Sequence, residues 1–149
     1  MKSFGYAVKG VIYTIKTQRH MRIHLCVGFY VILAGLVTKL STAQWAAVLI
    51  CIALVTASEC MNTALESACD AVSRQPHPLI GTAKDAAAGA VLICAVISAV
   101  VGGLIFFRAE RISLARDFML ENPAASAVIV LLLIPWMIFI FRKRKTNDK

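Results

Sequence analysis

Polar surface is what this sequence has least of. Of its 149 residues 16% are charged and 59% hydrophobic, and the mean hydropathy is +0.75. So little polar material could not cover the apolar residues of an ordinary soluble domain, and that class is excluded. The cysteines (Cys26, Cys51, Cys60, Cys69 and Cys94) are odd in number and lack any CxxC spacing, which argues against a disulfide framework or a zinc site. They read as small hydrophobes. Internal repeats and low-complexity segments are absent. So are GxxxxGK[ST], GxGxxG and the protein-kinase signatures, so any nucleotide would bind without the phosphate loops of soluble enzymes.

What is present is four apolar blocks, at about residues 23–38, 40–65, 86–107 and 123–141. A helix needs about 20 apolar residues to cross the hydrocarbon core, and about 17 suffice. The first block is short and needs Arg22 and Lys39 to reach toward the two interfaces. The sequence therefore predicts an all-α, multi-pass membrane protein. No cleavable signal peptide is expected, because Lys2, Lys9, Lys16 and Arg19 interrupt the first twenty residues. Residues 1–22 read instead as an amphipathic interfacial helix, with Phe4, Ala7, Val8, Val11, Ile12 and Ile15 on one stripe.

The formal charge of +8 points to topology, not to nucleic acid. Twelve Lys/Arg fall before span one, between spans two and three, and after span four; four fall in the other two connections. This alternation predicts both termini in the cytoplasm. The tail "RKRK" then reads as a stop signal and an anchor to anionic lipid. Pro76 and Pro78 break the chain after span two, and Pro135 is a possible kink in span four.

The informative departure lies in span two. "LVTASECMNTALESACD" places Glu59, Asn62, Glu66 and Asp70 in a stretch where aliphatic residues are expected. At 100° per residue the four share an arc of roughly 80° that descends about 16 Å. Carboxylates near a bilayer centre cost roughly 2.5–3.5 kcal/mol each, so a polar face there has a use. Glu59 falls just inside the hydrocarbon, while Glu66 and Asp70 reach the interface. Lys84 and Asp85 open the next helix on the same side. Carboxylates beside a lysine suit Mg²⁺ with nucleotide phosphates, and a carboxylate in a partly apolar site suits a general base. A purely structural polar network is the competing reading. The third span carries small residues (Ala86 to Ala90, Ser98, Gly102, Gly103) that let helices approach closely or leave room for a ligand.

"ECMNTALESACD" followed by "HPLIGTAKDAAAGAVLI" resembles the signature of the prokaryotic diacylglycerol kinase and undecaprenol kinase family of integral-membrane lipid kinases. The resemblance extends upstream to "GYAVKG" and "TQRHMRIH" and covers roughly residues 4–107. It implies a kinase core over 1–107, with three spans, and leaves 108–149 as an extension carrying a fourth span. By position it implies Glu59 as catalytic base and Glu66 as the carboxylate holding the divalent metal. Lys84, Asp85, Gln75, His77 and Tyr6 match nucleotide-contacting positions, and Asn62 and Asp70 match supporting polar residues. Gln18 stands where a family member has a second metal-binding glutamate; its amide would contact ATP or metal more weakly.

The implied reaction transfers phosphate from ATP, with Mg²⁺, to a lipid hydroxyl at the cytosolic face of the cell membrane. The family forms homotrimers with shared active sites. The wording "AKDAAAGAVLI" resembles the Gram-positive branch, which favours undecaprenol over diacylglycerol as substrate. Two rivals stand beside this reading: a small proton-coupled transporter built on Glu59, and a catalytically silent relative, suggested by Gln18. Against the transporter, the polar residues crowd one membrane face and Lys84-Asp85 would have no role.

Overall fold

"TKLSTAQ" joins two long helices in four residues, and its side chains explain how. The computed structural model describes residues 2–73 and 75–142. Arg74 and the tail residues Lys143, Arg144, Lys145 and Lys149, which entered the charge count, lie outside that range. Among the described residues seven helices follow one another: α1 (Lys2–Thr17), α2 (Arg19–Val37), α3 (Thr42–Val72), α4 (Pro78–Phe106), α5 (Ala109–Glu121), α6 (Pro123–Leu131) and α7 (Leu133–Phe141). No strand occurs among the described residues. Four segments have the length and composition to cross a membrane: α2, α3, α4, and α6 with α7.

At the end of α2, Leu40 N–H donates to the Gly35 carbonyl (3.1 Å) and Lys39 N–H to that of Leu36 (3.4 Å). This is a Schellman turn, with Lys39 in the left-handed position at φ 55°. Ser41 then caps α3, its hydroxyl accepting from Gln44 N–H while the Gln44 side chain accepts from Ser41 N–H. The reversal brings Trp45 across Gly35, where a Cβ would stand 2.8 Å from the indole ring. Leu40, Val48 and Ile105 form the main apolar cluster here, with Val31, Trp45, Ile52 and Phe106 packed on it.

Arg111 of α5 secures this turn end from above. Its guanidinium donates to the carbonyls of Thr38 and Lys39 (the latter at 3.0 Å) and to Gln44 Oε1 (2.9 Å). Cations near a helix C-terminus are favoured, because the last carbonyls there lack intrahelical partners.

From Asn122 the chain returns along α2. Tyr30 Oη donates to the Ile129 carbonyl (3.1 Å), and the rings of Phe29 and Trp136 lie 5.7 Å apart. The helix breaks at Leu132, three residues before Pro135, as expected where a proline cannot donate and its ring crowds the preceding turn. Phe141 finishes beside Arg19, so the fourth span runs antiparallel to α2 and ends on the side where α2 began.

Two boundaries differ from the sequence reading. α1 stops at Thr17 and α2 starts at Arg19, so residues 19–22 open the first span. Pro78 starts α4, eight residues ahead of the expected span, because a proline in the first helical turn forfeits an N–H that has no partner there anyway. α3 continues past its apolar part through the acidic stretch to Val72, where the connection holding Pro76 and Pro78 ends it, in agreement with that reading. At 31 and 29 residues, α3 and α4 are about 46 and 43 Å long, well beyond the roughly 30 Å hydrocarbon core. Their surplus projects together at the acidic end. Along α4, Leu92, Ile93, Val96, Ile97, Val100 and Leu104 are each more than half exposed, an apolar face that only lipid or another apolar surface satisfies.

Candidate active site

Because α3 is unbroken through Val72, the spacing of its polar residues survives as one face. Burial grades along that face. Glu59 is 3% exposed, Asn62 is buried, Glu66 half-buried and Asp70 exposed. The Thr63 hydroxyl donates back to the Glu59 carbonyl (2.8 Å), which satisfies a buried hydroxyl without using the Glu59 carboxylate.

Glu66 is the meeting point. Asn62 Nδ2, one turn earlier, donates to Oε1 (3.3 Å), and Gln18 Nε2 donates to Oε2 (3.2 Å). Gln18 is the one residue between α1 and α2 and serves as N-cap of α2. A chain break at that position thus delivers an amide to a carboxylate 48 residues later. Amide hydrogen bonds to both oxygens fix the carboxylate plane.

Among the described residues no group of three His, Cys, Asp or Glu side chains gathers to hold a metal ion. The oxygens at Glu66 nevertheless suit one. Asn62 Oδ1 is buried with no hydrogen-bond partner, and the neighbouring donors are the Glu66 carboxylate and the Gln18 amide oxygen. A hard divalent cation such as Mg²⁺ takes one or two such oxygens and completes its shell with phosphate and water. The residues fit that role.

Lys84 closes the site on the α4 side, its Nζ 2.5 Å from Asp70 Oδ1. It stands two turns into α4, ahead of the apolar span. Its hydrogen bond to Asp70 holds the ammonium above the usual lysine range, so it is charged at any working pH.

The remaining candidates do not converge within one chain. Tyr6 is 68% exposed on α1, with Lys9 Nζ 5.8 Å from its ring centre. Gln75, His77 and Asp85 are exposed around the α3–α4 connection. Among the described residues no hydrogen bond or ion pair joins any of these four to Glu59 or Glu66.

Two contributors escaped the sequence reading. His20 is exposed in the first turn of α2, two residues past Gln18; it lies in the quoted "TQRHMRIH", but a His among basic residues gives no signal of its own. Thr63 was hidden between Asn62 and Glu66. α1 meets α3 through small residues, Ala7, Gly10 and Thr14 against Cys60, Thr63 and Ser67, around a cavity of about 230 Å³. A second, apolar cleft of about 350 Å³ lies between α2, α3 and α4, lined by Gly28, Val48, Ile52, Thr56, Ser98 and Gly102 among others. Its near end, at Val55 and Thr56, is one turn from Glu59.

Carboxylate, amide and lysine side chains thus gather at one end of the apolar helices. The chain belongs to the prokaryotic diacylglycerol kinase family, whose model matches residues 5–106. It is therefore a membrane lipid kinase, which decides between enzyme and transporter. The match ends at the last residue of α4, and α5 to α7 lie beyond it. Curated relatives include the undecaprenol kinase of Bacillus subtilis, 39% identical over 105 residues, 70% of this chain and 85% of that protein. The diacylglycerol kinase of Synechocystis sp. is 43% identical over 104 residues, 69% of this chain but 59% of that protein, less than two thirds of its length. No solved structure matches the chain.

Proposed function

We propose that this chain transfers the γ-phosphoryl group of ATP to the terminal hydroxyl of undecaprenol at the cytosolic face of the membrane, with both termini in the cytoplasm. The observation that carries the reading is the grading of one helical face, from Glu59, only 3% exposed, to Glu66 held by amides at the aqueous end. A lipid hydroxyl comes from the membrane side and ATP from the water side, and such a face offers a group to each.

In this mechanism Glu59 accepts the lipid hydroxyl proton. The oxygen then bonds to the γ-phosphorus as the bond to the β–γ bridging oxygen breaks, and ADP leaves. Glu66, with Asn62 and Gln18 orienting it, would hold Mg²⁺, which supplies charge neutralisation to the phosphates when bound. Lys84, kept extended by Asp70, contributes positive charge to the phosphate oxygens. The apolar cleft one turn beyond Glu59 gives the lipid chain a place beside the reacting end.

Residues 1–107 form the kinase core in this reading and 108–149 the extension, a division supported by where the family match ends. Tyr6, Gln75, His77 and Asp85 complete the nucleotide site in a homotrimer, where a neighbouring subunit supplies the side that one chain leaves open. Undecaprenol is favoured over diacylglycerol by the wording of "AKDAAAGAVLI" and by the undecaprenol kinase of B. subtilis, 85% of whose length the chain matches. Diacylglycerol is the second reading, favoured by the relative of that name. Labelled ATP with Mg²⁺, offered undecaprenol and diacylglycerol separately in mixed micelles, tests both. Transfer to undecaprenol is expected; transfer to diacylglycerol alone would reverse the assignment.

A further inference from the structure

The fourth span lies outside the family match, yet it packs on the part of the chain that delivers Gln18. Arg19 and Arg22 follow the α1–α2 joint in the first turn of α2, and both guanidinium groups face aromatic rings of α7. The Arg19 guanidinium is 4.3 Å from the centre of the Phe141 ring, and that of Arg22 is 5.9 Å from the centre of Phe139. Trp136 stacks edge-on against Phe139 and also touches Phe29, so the ring row is braced along α2.

Arg22 carries most of the argument. It is 9% exposed, its Nε has no hydrogen-bond partner among the described residues, and its Nη1 donates to the Lys16 carbonyl on the last turn of α1 (3.4 Å). A buried cation with one long hydrogen bond depends on whatever else meets its charge. The face of Phe139 is that group. Arg22 thus bridges α1 and α7 across the joint.

The joint itself is one residue wide. Gln18 has extended backbone (φ −99°, ψ 121°) between two helices, and no side-chain cap holds it. The angle between α1 and α2, and with it the reach of the Gln18 amide to Glu66, is set by what grips each helix. α1 is gripped through Thr14, buried against α3; α2 is gripped along its length by α3 and, at Arg19, Arg22 and Phe29, by α7.

We infer that α7 is a positioning element for the nucleotide site: Phe139 and Phe141 hold Arg22 and Arg19, and so keep Gln18 seated on the Glu66 carboxylate. This rests on the reading of Gln18 and Glu66 as part of the MgATP site. The extension is then part of the working kinase and not a detachable anchor.

The test uses the full chain in lipid nanodiscs, with the MgATP dissociation constant measured by direct binding beside the melting temperature of the nucleotide-free protein. Phe139→Leu/Phe141→Leu keeps apolar volume but removes the ring faces, and should weaken MgATP about tenfold. Phe139→Tyr/Phe141→Tyr keeps the faces and should bind MgATP like the parent. Gln18→Ala should weaken MgATP to a similar degree. Parental affinity in the Leu pair, or equal loss in the Leu and Tyr pairs, overturns the inference. If Gln18→Ala itself binds MgATP normally, the reading of the site falls and the inference with it. If Gln18→Ala weakens binding and the Leu pair does not, only the inference falls.

Discussion

Lys84 on α4 and Asp70 on α3 meet at 2.5 Å and tie together the ends of the two longest helices where they emerge from the apolar span. The pair is largely open to water, so its use lies in placing a charge, not in stability. Lys84→Met should lower kcat/KM for ATP by about a hundredfold or more, because a phosphate-binding cation is lost, with little change in melting temperature. Asp70→Asn should have the smaller effect. It also releases Lys84 toward the ordinary lysine range, so any alkaline loss of activity should begin at lower pH than in the parent. Equal activity of Lys84→Met and the parent would remove Lys84 from the site.

Glu59 is the acid with the most to lose from substitution. Glu59→Gln keeps the shape of a buried side chain and removes the proton acceptor. Turnover should fall by about 10²–10⁴, while MgATP affinity and melting temperature stay near the parental values, since Glu66, the carboxylate proposed to hold the metal, lies about two turns further along α3. Near-parental turnover in a folded Glu59→Gln protein would assign the base elsewhere.

Much of this site could be read before any coordinates, and the reason is geometric. Glu59, Asn62, Glu66 and Asp70 sit on one uninterrupted helix, where residue spacing alone settles which side chains share a face. The joint at Gln18 was not legible, because neither proline nor glycine marks it and the residue acts through a partner 48 positions away. The start of α4 was misplaced because Pro78 reads as a breaker, although proline suits the first turn of a helix. The seat of the fourth span was also out of reach. Any of several aliphatic faces could have taken it, and the pairing of Arg19 with Phe141 exists only in three dimensions.

Gly35 is the closest approach of α2 to the α3 entry. A Cβ there would lie 2.8 Å from Trp45 and 3.0 Å from Leu40. Gly35→Ala should cost about 1–3 kcal/mol through overpacking, visible as a lower melting temperature in detergent. Trp45→Phe in the same chain should recover part of the loss by retracting the ring edge. A Gly35→Ala protein as stable as the parent would show that Trp45 moves aside freely.

Lys39 occupies a position that suits glycine. Its φ of 55° places an L side chain in the left-handed region, which costs roughly 1 kcal/mol for a residue with a Cβ. Lys39→Gly relieves that strain and keeps both hydrogen bonds of the turn, while giving back some stability through a freer unfolded chain. The net expectation is a modest rise in melting temperature, up to about 1 kcal/mol. Lys39→Val should do the reverse, because a β-branched side chain tolerates positive φ least. Arg111 binds the carbonyls of residues 38 and 39, not the Lys39 side chain, so its grip survives either change. Since the turn lies at the opposite end of the spans from Glu66, phosphate transfer should be unaffected by Lys39→Gly. A drop in transfer at unchanged stability would mean that the two ends of the bundle are coupled along α2, the helix that carries Lys39 just past one end and Gln18 just before the other.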